Sequence, residues 1–387
     1  MRFWLIARPL ALAALLPALS GCVALGSFEQ RATTFNRNVA DTQNVGLLLN
    51  LARASRDEPL YFTSTSGVHG SGSEDFSLNI GGSGPAPLDG NTGSSFDTDV
   101  LSSKDFYSGM LTPLGPADVN LLFSQGYSRE MVLYLVVDRL KVTDVSTMQP
   151  GQDDAKEPTS VYFNDPRSPS FATFKTFVDQ AMLHGLTTEV TYPPAAAPAP
   201  LAQVSKDQVN NVNVVVSVAP DSGGDDGPYA RLCYDLALAT PTAKLDFTPE
   251  SPLCGVVASA QASATAGPAS IGVKIGDKKY EIVVYTRSIF GIFKYLGGLI
   301  GRGETGAVQL HHYPQLASEQ TFDGQLLTVV SSGGDCFTAV SYRGRDYCVP
   351  NQGADNTKDI FNILDALLAL KTSPGDLPAT PTVRITP

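Results

Sequence analysis

Histidine is used in proteins both as a metal ligand and as a general base, and this chain of 387 residues has four histidines. His69 lies in a glycine-rich stretch, and His184 lies in the last turn of a predicted helix, where the helix dipole favours a cation. The pair His311-His312 is the best candidate for a metal site. However, adjacent residues on a strand point to opposite faces, and no HExxH spacing supports them. The sequence therefore predicts structural roles for all four histidines and no bound metal.

Other catalytic motifs are equally hard to find. The chain contains no G-x-S-x-G nucleophile motif, and its segments GSGSED, GGSGP, SGGDDG and SGGDC match no phosphate-binding pattern. A cluster of Asp221, Asp225 and Asp226 offers the oxygen ligands that calcium prefers, but the EF-hand spacing is missing. We interpret these segments as turns and linkers. We expect no cofactor, and the sequence leans against an enzyme without excluding one.

The chain has five cysteines, of which four lie in its second half. These four are Cys233, Cys254, Cys336 and Cys348. An even number in an exported protein predicts two disulfides, and none of these cysteines forms the C-x-x-C pair that is typical of zinc sites. We favour the pairs that are local in sequence, Cys233–Cys254 and Cys336–Cys348.

The second of these pairs raises a geometric difficulty. If residues 342–345 form a hairpin turn centred near Gly344, Cys336 and Cys348 do not lie opposite each other. Their Cα atoms would then be more than ~7 Å apart, which is too far for a disulfide. Either the turn is centred earlier or the cysteines pair across domains.

Residues 289–300 form the most unusual segment, since it is almost wholly apolar and contains three glycines and one lysine. Each glycine lowers helix propensity by ~1 kcal/mol relative to alanine, so packing must compensate. We favour a buried helix that packs closely at its glycines. A docking helix for a partner protein and a helix in the membrane interface are the alternatives. Its candidate partner-binding residues are Ile289, Phe290, Phe293 and Tyr295.

A second candidate surface is the predicted hairpin tip with Tyr342, Arg343 and Arg345. Exposed tyrosine and arginine are enriched where proteins bind each other, and such a cluster in an acidic chain suits an anionic partner. A hairpin turn with ordinary solvated charges is the simpler interpretation.

The N-terminus has the features of an export signal. Arg2 and Arg8 are followed by an apolar run from Leu10 to Leu19 and by small residues. The run is too short to span a membrane as a helix, which takes ~20 apolar residues. We therefore expect residues 1–21 to be a signal peptide.

The four residues Leu19-Ser20-Gly21-Cys22 resemble the lipobox of bacterial lipoprotein precursors. The resemblance covers residues 1–22 alone. It implies that Cys22 becomes the first residue, carries a diacylglyceryl group on its sulfur and is acylated, for example with palmitate, on its amine. Two or more acyl chains anchor a protein stably. In such lipoproteins an aspartate directly after the cysteine retains the protein in the inner membrane. Val23 occupies this position, so we expect the outer membrane. Whether the protein faces the periplasm or the cell surface is not predicted.

Composition limits the remaining possibilities. The hydrophobic content of 43% is that of a globular protein, and the net charge of −11 argues against nucleic acid as a partner. We predict an α+β fold, with a helix-rich N-terminal part and a mainly antiparallel β C-terminal part that ends in a helix. The predicted segments are a signal peptide at 1–21, an anchor and helix at 22–63, a flexible loop at 64–103, a helical α+β region at 104–192, a linker at 193–204, a β-rich domain at 205–372 and a disordered tail at 373–387.

Within these segments, local patterns predict individual elements. Helices are expected over residues 28–56, over 113–140 as a pair with a glycine stop at Gly126 and a cap at Ser128, from Ser168 to Gly185, and over 359–370 after a cap at Asn356. Strands are expected at 159–163, 186–192, 212–218, 229–238, 271–275, 280–286, 326–330, 337–342 and 346–349.

Two functional hypotheses follow. The first is a lipid-anchored envelope protein that binds a partner or belongs to an assembly without being an enzyme. The second is a periplasmic hydrolase of polysaccharide or peptidoglycan, whose carboxylates would meet only in the folded chain. Two carboxyl groups ~5–9.5 Å apart in a cleft, one with a raised pKa, would favour the hydrolase.

Overall fold

The computed structural model describes residues 16–71, 94–146, 159–191, 229–240, 247–255, 269–313, 323–331, 334–372 and 385–386. Within these ranges the fold is α+β, with helices mostly in the N-terminal part, strands mostly in the C-terminal part and a final helix. The helices are α1 (Leu16–Ala54), α2 (Lys104–Leu111), α3 (Pro116–Ser124), α4 (Arg129–Val136), α5 (Phe171–Leu183), α6 (Ile289–Arg302) and α7 (Asp355–Lys371).

The described strands form one five-stranded sheet, three two-stranded antiparallel pairs and one three-stranded sheet that contains a parallel pair. They are β1 (Thr63–Ser71), β2 (Ser94–Val100), β3 (Val137–Asp144), β4 (Thr159–Phe163), β5 (Leu186–Thr191), β6 (Tyr229–Tyr234), β7 (Phe247–Ser251), β8 (Ala269–Ile275), β9 (Lys278–Thr286), β10 (Gln309–Leu310), β11 (Gly324–Gln325), β12 (Cys336–Tyr342), β13 (Arg345–Pro350) and β14 (Ile385–Thr386). The five-stranded sheet has the order β4-β3-β9-β8-β7 and is antiparallel throughout. It therefore joins strands from both sides of the proline- and alanine-rich segment into one layer.

Helix α1 extends well beyond the core. Its described side chains from Thr33 to Gly46 are exposed or half-buried, whereas Leu47, Leu48 and Leu51 are almost fully buried. At a rise of 1.5 Å per residue, Cys22 lies about 37 Å along the helix axis from Leu47. Among the described residues, no helix is both long and apolar enough to cross a membrane.

The junction between α4 and β3 differs from the sequence prediction, which continued the helix to Leu140. Helix α4 ends at Val136 because its terminal carbonyls bond to side chains rather than to further helix. Arg287 Nη1 donates to the carbonyl oxygens of Tyr134, Leu135 and Val137 at 3.1, 3.1 and 2.6 Å. Asn164 Nδ2 donates to the carbonyl oxygens of Tyr134 and Val137, both at 2.8 Å. The backbone can therefore turn into a strand without leaving buried acceptors unpaired.

Both predicted disulfides are present, Cys233–Cys254 and Cys336–Cys348. The expectation that the cysteines of the second pair lie too far apart was wrong. The turn is indeed centred on Arg343-Gly344, yet the Cα atoms of Cys336 and Cys348 are 5.7 Å apart. The two cysteines do not lie opposite each other, since Cys336 pairs with Pro350 after a register shift and Cys348 pairs with Ala339, but their separation still allows the bond.

Several predicted boundaries also change. Residues 326–330 are not a strand, since Leu326 N donates to Val308 O and Thr328 N donates to Thr357 Oγ1, so the segment lacks a continuous partner. Helix α5 begins at Phe171, after a turn in which the Ser168 and Ser170 hydroxyls bond to each other. The expected flexible loop begins and ends in the paired strands β1 and β2, and tail residues 385–386 pair with β1. The predicted strand 212–218 lies outside the described residues.

Candidate functional site

Helix α6 contains four of the predicted partner-binding residues, and it is a core helix. Ile289 and Phe293 have no exposed surface, Tyr295 is 9% exposed and Phe290 is partly buried against the core. Ile289, Phe293 and Tyr295 are therefore not available to a partner in the folded chain, whereas Phe290 keeps part of its surface exposed. The buried interpretation, which the sequence favoured, describes them.

The glycines of α6 allow α1 to pack closely against it. A Cβ atom added to Gly297 would lie 2.4 Å from the Cβ of Ala54, and one added to Gly301 would lie 2.4 Å from the carbonyl oxygen of Ser55. Because real Cβ atoms do not approach so closely, only glycine fits at these two positions. The end of α1 is thus held directly against the core.

The hairpin tip lies against this same end of α1. Its side chains form what we call the tyrosine–arginine surface, which consists of Arg53, Tyr61, Tyr342 and Arg343. The Arg53 guanidinium lies 5.0 Å from the ring centroid of Tyr61 and 5.8 Å from that of Tyr342. Arg343 also lies 5.8 Å from the Tyr342 ring. Alternating cations and aromatic rings of this kind stabilise one another through cation–π contacts.

Two further residues hold this surface in place. The buried Asn50 pins the segment after α1, because its Oδ1 accepts from Tyr61 N at 3.0 Å and its Nδ2 donates to Tyr61 O at 2.8 Å. Glu58 accepts a hydrogen bond from the Tyr342 hydroxyl and pairs with Arg343 Nε at 3.1 Å. The hydrogen bond from Tyr342, helped by the charge of Arg343, holds the pKa of Glu58 below its usual range.

The backbone at Arg343 is unusual for its residue type. Arg343 has a φ of 50° and Gly344 a φ of 76°, the pattern of a two-residue hairpin turn that prefers asparagine or glycine first. A left-handed conformation at a long side chain costs on the order of 1 kcal/mol. The tip therefore carries a cationic side chain where turn geometry alone favours a small residue. The side chain of Arg343 is 61% exposed.

Arg345, the other predicted residue of the tip, lies beside this surface rather than in it. Its guanidinium is 5.4 Å from the ring of Tyr347, which is buried and points back toward α1. The Tyr347 hydroxyl lies 3.5 Å from Ser55 Oγ. The structure thus brings Tyr342, Arg343 and Arg345 to one hairpin tip, which is a different element from α6.

A second group of side chains that could do chemistry was not predicted from the sequence. We call Glu130, Asp179 and His311 the acid–histidine cluster. Glu130 lies in the first turn of α4, Asp179 near the end of α5 and His311 directly after β10. One ligand atom from each of the three lies within 4.8 Å of the others.

Glu130 holds His311 at two points. Its Oε2 accepts from the backbone N of His311 at 2.7 Å, and its Oε1 lies 3.0 Å from the ring Nδ1. The Glu130 side chain is fully buried, whereas that of His311 is 52% exposed. Burial raises the pKa of Glu130 to about 6, although its contacts with His311 oppose that shift.

Asp179 is half-buried beside Glu130 and His311. Burial raises its pKa, and the charges of His311 and Lys175 offset that shift only in part. Its Oδ1 is buried and accepts no hydrogen bond from any described residue. Tyr134 lies one turn after Glu130 in α4, is completely buried, and its hydroxyl has no partner among the described residues. Burial and the nearby charges of Glu130 and Asp179 raise the pKa of Tyr134.

The remaining predicted candidates play smaller parts. His184 is buried at the end of α5, where its Nδ1 lies 2.9 Å from the carbonyl oxygen of Gln180. The side chain of His312 is exposed, and its backbone N donates to Asp323 Oδ1. The side chain of His69 and the aspartates of the SGGDDG segment lie outside the described residues. Glu189 lies near Cys233 and Cys254, but the disulfide occupies both sulfurs.

Comparison with known proteins adds no relative to this picture. No family model matches the chain, no curated protein matches it, and no solved structure matches it. The functional argument therefore depends on the residues and their geometry.

Proposed function

We propose that this protein is a lipid-anchored component of the cell envelope that binds a partner protein and is not an enzyme. Lipid on Cys22 holds it at a membrane, and the residue after that cysteine favours the outer membrane. The proposal begins from the lipobox resemblance of residues 19–22. The observation that carries it furthest is the length of α1, because this one helix connects the anchoring residue with the folded core.

Helix α1 acts in this proposal as a stem. Its described side chains up to Gly46 have little core contact, and its last two turns are locked against α6 at Gly297. A continuous helix holds its two ends at a fixed separation, unlike a glycine- and serine-rich tether. A lipid at Cys22 would thus allow the core to lie up to roughly 37 Å from the membrane surface.

The tyrosine–arginine surface is the partner-binding site in this proposal. It lies at the end of the stem opposite the anchor, since Arg53 is in the last turn of α1. Tyr61 is 54% exposed and Arg343 is similarly accessible. Aromatic and arginine side chains contribute most strongly to binding at protein interfaces. The positive charge of the two arginines suits an acidic face on the partner.

The anchor is tested by expressing the full chain in a diderm bacterium with labelled palmitate. We expect the wild-type protein to carry the label and to be found in the membrane fraction. A Cys22→Ala variant should carry no label and should leave the membrane. Label on the Cys22→Ala protein, or none on the wild type, would contradict lipidation at this residue.

The binding surface is tested by cross-linking the lipidated protein in intact cells and identifying its partners by mass spectrometry. Arg343→Asn removes the cation while keeping a residue that suits the turn. Arg167→Asn is the matched control, because Arg167 is also 61% exposed, lies in a turn and pairs with one carboxylate, Asp165. We expect Arg343→Asn alone to reduce the yield of one specific partner at least about tenfold, which corresponds to ~1.4 kcal/mol. An unchanged set of partners would overturn the assignment of this surface.

One observation favours the alternative, a periplasmic hydrolase of polysaccharide or peptidoglycan. Burial raises the pKa of both Glu130 and Asp179, and raised pKa values are common for catalytic acids. Against this alternative, the Glu130 carboxylate has no exposed surface and already bonds to His311. Incubation of the purified protein with peptidoglycan distinguishes the hydrolase from the partner-binding protein. Soluble fragments released by the wild type but not by Asp179→Asn would favour the hydrolase.

A further inference from the structure

We propose that the acid–histidine cluster is a binding site for a divalent transition metal, with Zn²⁺ as its preferred ion. Glu130 and Asp179 supply carboxylate oxygens and His311 supplies an imidazole nitrogen. This site is separate from the tyrosine–arginine surface and does not depend on the anchor.

The spacing of the three groups suits one ion. Bonds of about 2.0–2.2 Å place two atoms on the same zinc no more than ~4.4 Å apart, and tetrahedral ligands lie ~3.3 Å apart. Nδ1 of His311 and Oε1 of Glu130 are already 3.0 Å apart, and the Asp179 oxygen completes a set within 4.8 Å. Because that 4.8 Å limit exceeds ~4.4 Å, an ion that bonds to all three groups would draw the ligand atoms slightly closer together.

The electrostatics of the cluster also calls for a cation. The Glu130 carboxylate has no exposed surface, and the buried Oδ1 of Asp179 accepts no hydrogen bond from a described residue. A buried carboxylate without a donor is costly, and a metal ion removes that cost. The fully buried Tyr134 hydroxyl, also without a described partner, lies near both acids and could bond to a coordinated oxygen.

The donor set decides which kind of ion fits. Imidazole nitrogen binds zinc and its neighbours in the transition series well, whereas magnesium and calcium prefer oxygen ligands alone. The half-exposed ring of His311 gives an ion a path from solvent to the buried Glu130. When an ion binds at Nδ1, the ring proton moves to Nε2, so the imidazole remains neutral. Three protein ligands leave one position of a tetrahedral zinc open to water.

The test is equilibrium dialysis of the full-length, chelator-stripped protein in detergent against ZnCl2, with elemental analysis of the bound metal. We expect one tightly bound zinc per chain, and excess Mg²⁺ should not displace it. His311→Gln and Asp179→Asn should each weaken binding by at least about tenfold. His312→Gln is the matched control, because the neighbouring ring is exposed and lies outside the cluster; it should bind zinc like the wild type.

Two results would overturn the proposal. One is the absence of stoichiometric zinc in the wild type, and the other is zinc that both ligand variants retain. X-ray absorption of the zinc-loaded wild type gives a readout that needs no variant. We expect one imidazole and several oxygen atoms at ~2.0 Å, whereas sulfur or several imidazoles would place the metal elsewhere.

Discussion

The guanidinium of Arg287 lies over the ring of Tyr295, 3.9 Å from its centroid. Both side chains are buried, and Tyr295 Oη donates in turn to Asn164 Oδ1 at 3.3 Å. Arg287 Nη2 donates to the carbonyl oxygen of Asn164 at 2.7 Å. Burial lowers the pKa of Arg287, and the ring and nearby carboxylates oppose that shift. Three separated parts of the chain are thus joined around one cation at the end of α4.

Replacing Arg287 should therefore be strongly destabilising even when the charge is kept. Arg287→Lys offers three donors on a compact ammonium and cannot reach the same set of carbonyl oxygens. We expect the free energy of unfolding to fall by about 2–4 kcal/mol, measured by urea denaturation. Arg139→Lys is the control, because Arg139 also lies over a tyrosine but is 41% exposed. Equal effects of the two substitutions would show that the buried hydrogen bonds of Arg287 contribute little.

The contact between α1 and α6 predicts opposite results at two neighbouring glycines. Gly297→Ala places a methyl group 2.4 Å from Ala54 Cβ and should destabilise the fold by about 2–3 kcal/mol. Gly298→Ala meets only the end of the flexible Arg302 side chain and adds helix propensity, so stability should be unchanged or slightly higher. Thermal unfolding of both variants measures the difference. Similar values for the two would mean that the helices can move apart without cost.

Asp179→Asn should stabilise the protein when no metal is present. The substitution removes the charge of a half-buried carboxylate whose Oδ1 is buried without a described hydrogen-bond donor, and we expect a gain of up to about 1 kcal/mol in the free energy of unfolding. Asp41→Asn, on the exposed part of α1, should change stability by less than ~0.5 kcal/mol. Denaturation in the presence of a chelator gives both values. A loss of stability in Asp179→Asn would show that the Asp179 carboxylate already stabilises the fold without a metal ion.

The lowered pKa of Asp144 predicts how the stability of the fold depends on pH at acidic values. Hydrogen bonds from Lys278 and Ser146 lower the pKa of Asp144 to about 2. Because this folded value lies below the unfolded value of ~3.9, the carboxylate stabilises the fold above about pH 4. The contribution is lost as the pH falls from ~4 to about 2.

Urea denaturation of wild type and Asp144→Asn at pH 5 and at pH 2.5 tests this dependence. We expect a clear difference in stability at pH 5 that shrinks at pH 2.5. Asp277→Asn, in the exposed turn beside Lys278, should show no such change. A difference that stays constant with pH would rule out the Asp144 charge as its cause.

Much of the secondary structure could be predicted because its signals are local. The glycine stop at Gly126 has a positive φ, and the Ser128 side chain caps α4. Strands were expected at 271–275 and 280–286, and the structure has β8 and β9 there, joined by the turn Gly276-Asp277. The end of α4 could not be predicted, because it depends on hydrogen bonds from Arg287 in a distant part of the sequence.

The acid–histidine cluster was missed for the same reason. Its members come from three elements, and no spacing along the chain connects them. One local signal was present, since Glu130 is a carboxylate that is followed in its helix by a run of almost wholly apolar residues. An acid in such a helix must find a partner, and here that partner is His311.

The pairing of Arg287 with the end of α4 has a consequence for the order in which the chain can fold. An N-terminal segment that leaves a ribosome or a translocon first has its helices and its hydrophobic side chains but not the residue that completes the α4–β3 junction. Strand β3 likewise cannot complete its pairing in the five-stranded sheet until β9 has been synthesised. Loop closure over so long a stretch is slow, and the exposed apolar surface invites aggregation meanwhile. We expect production of this protein to depend on chaperones that hold the first half of the chain until the second arrives.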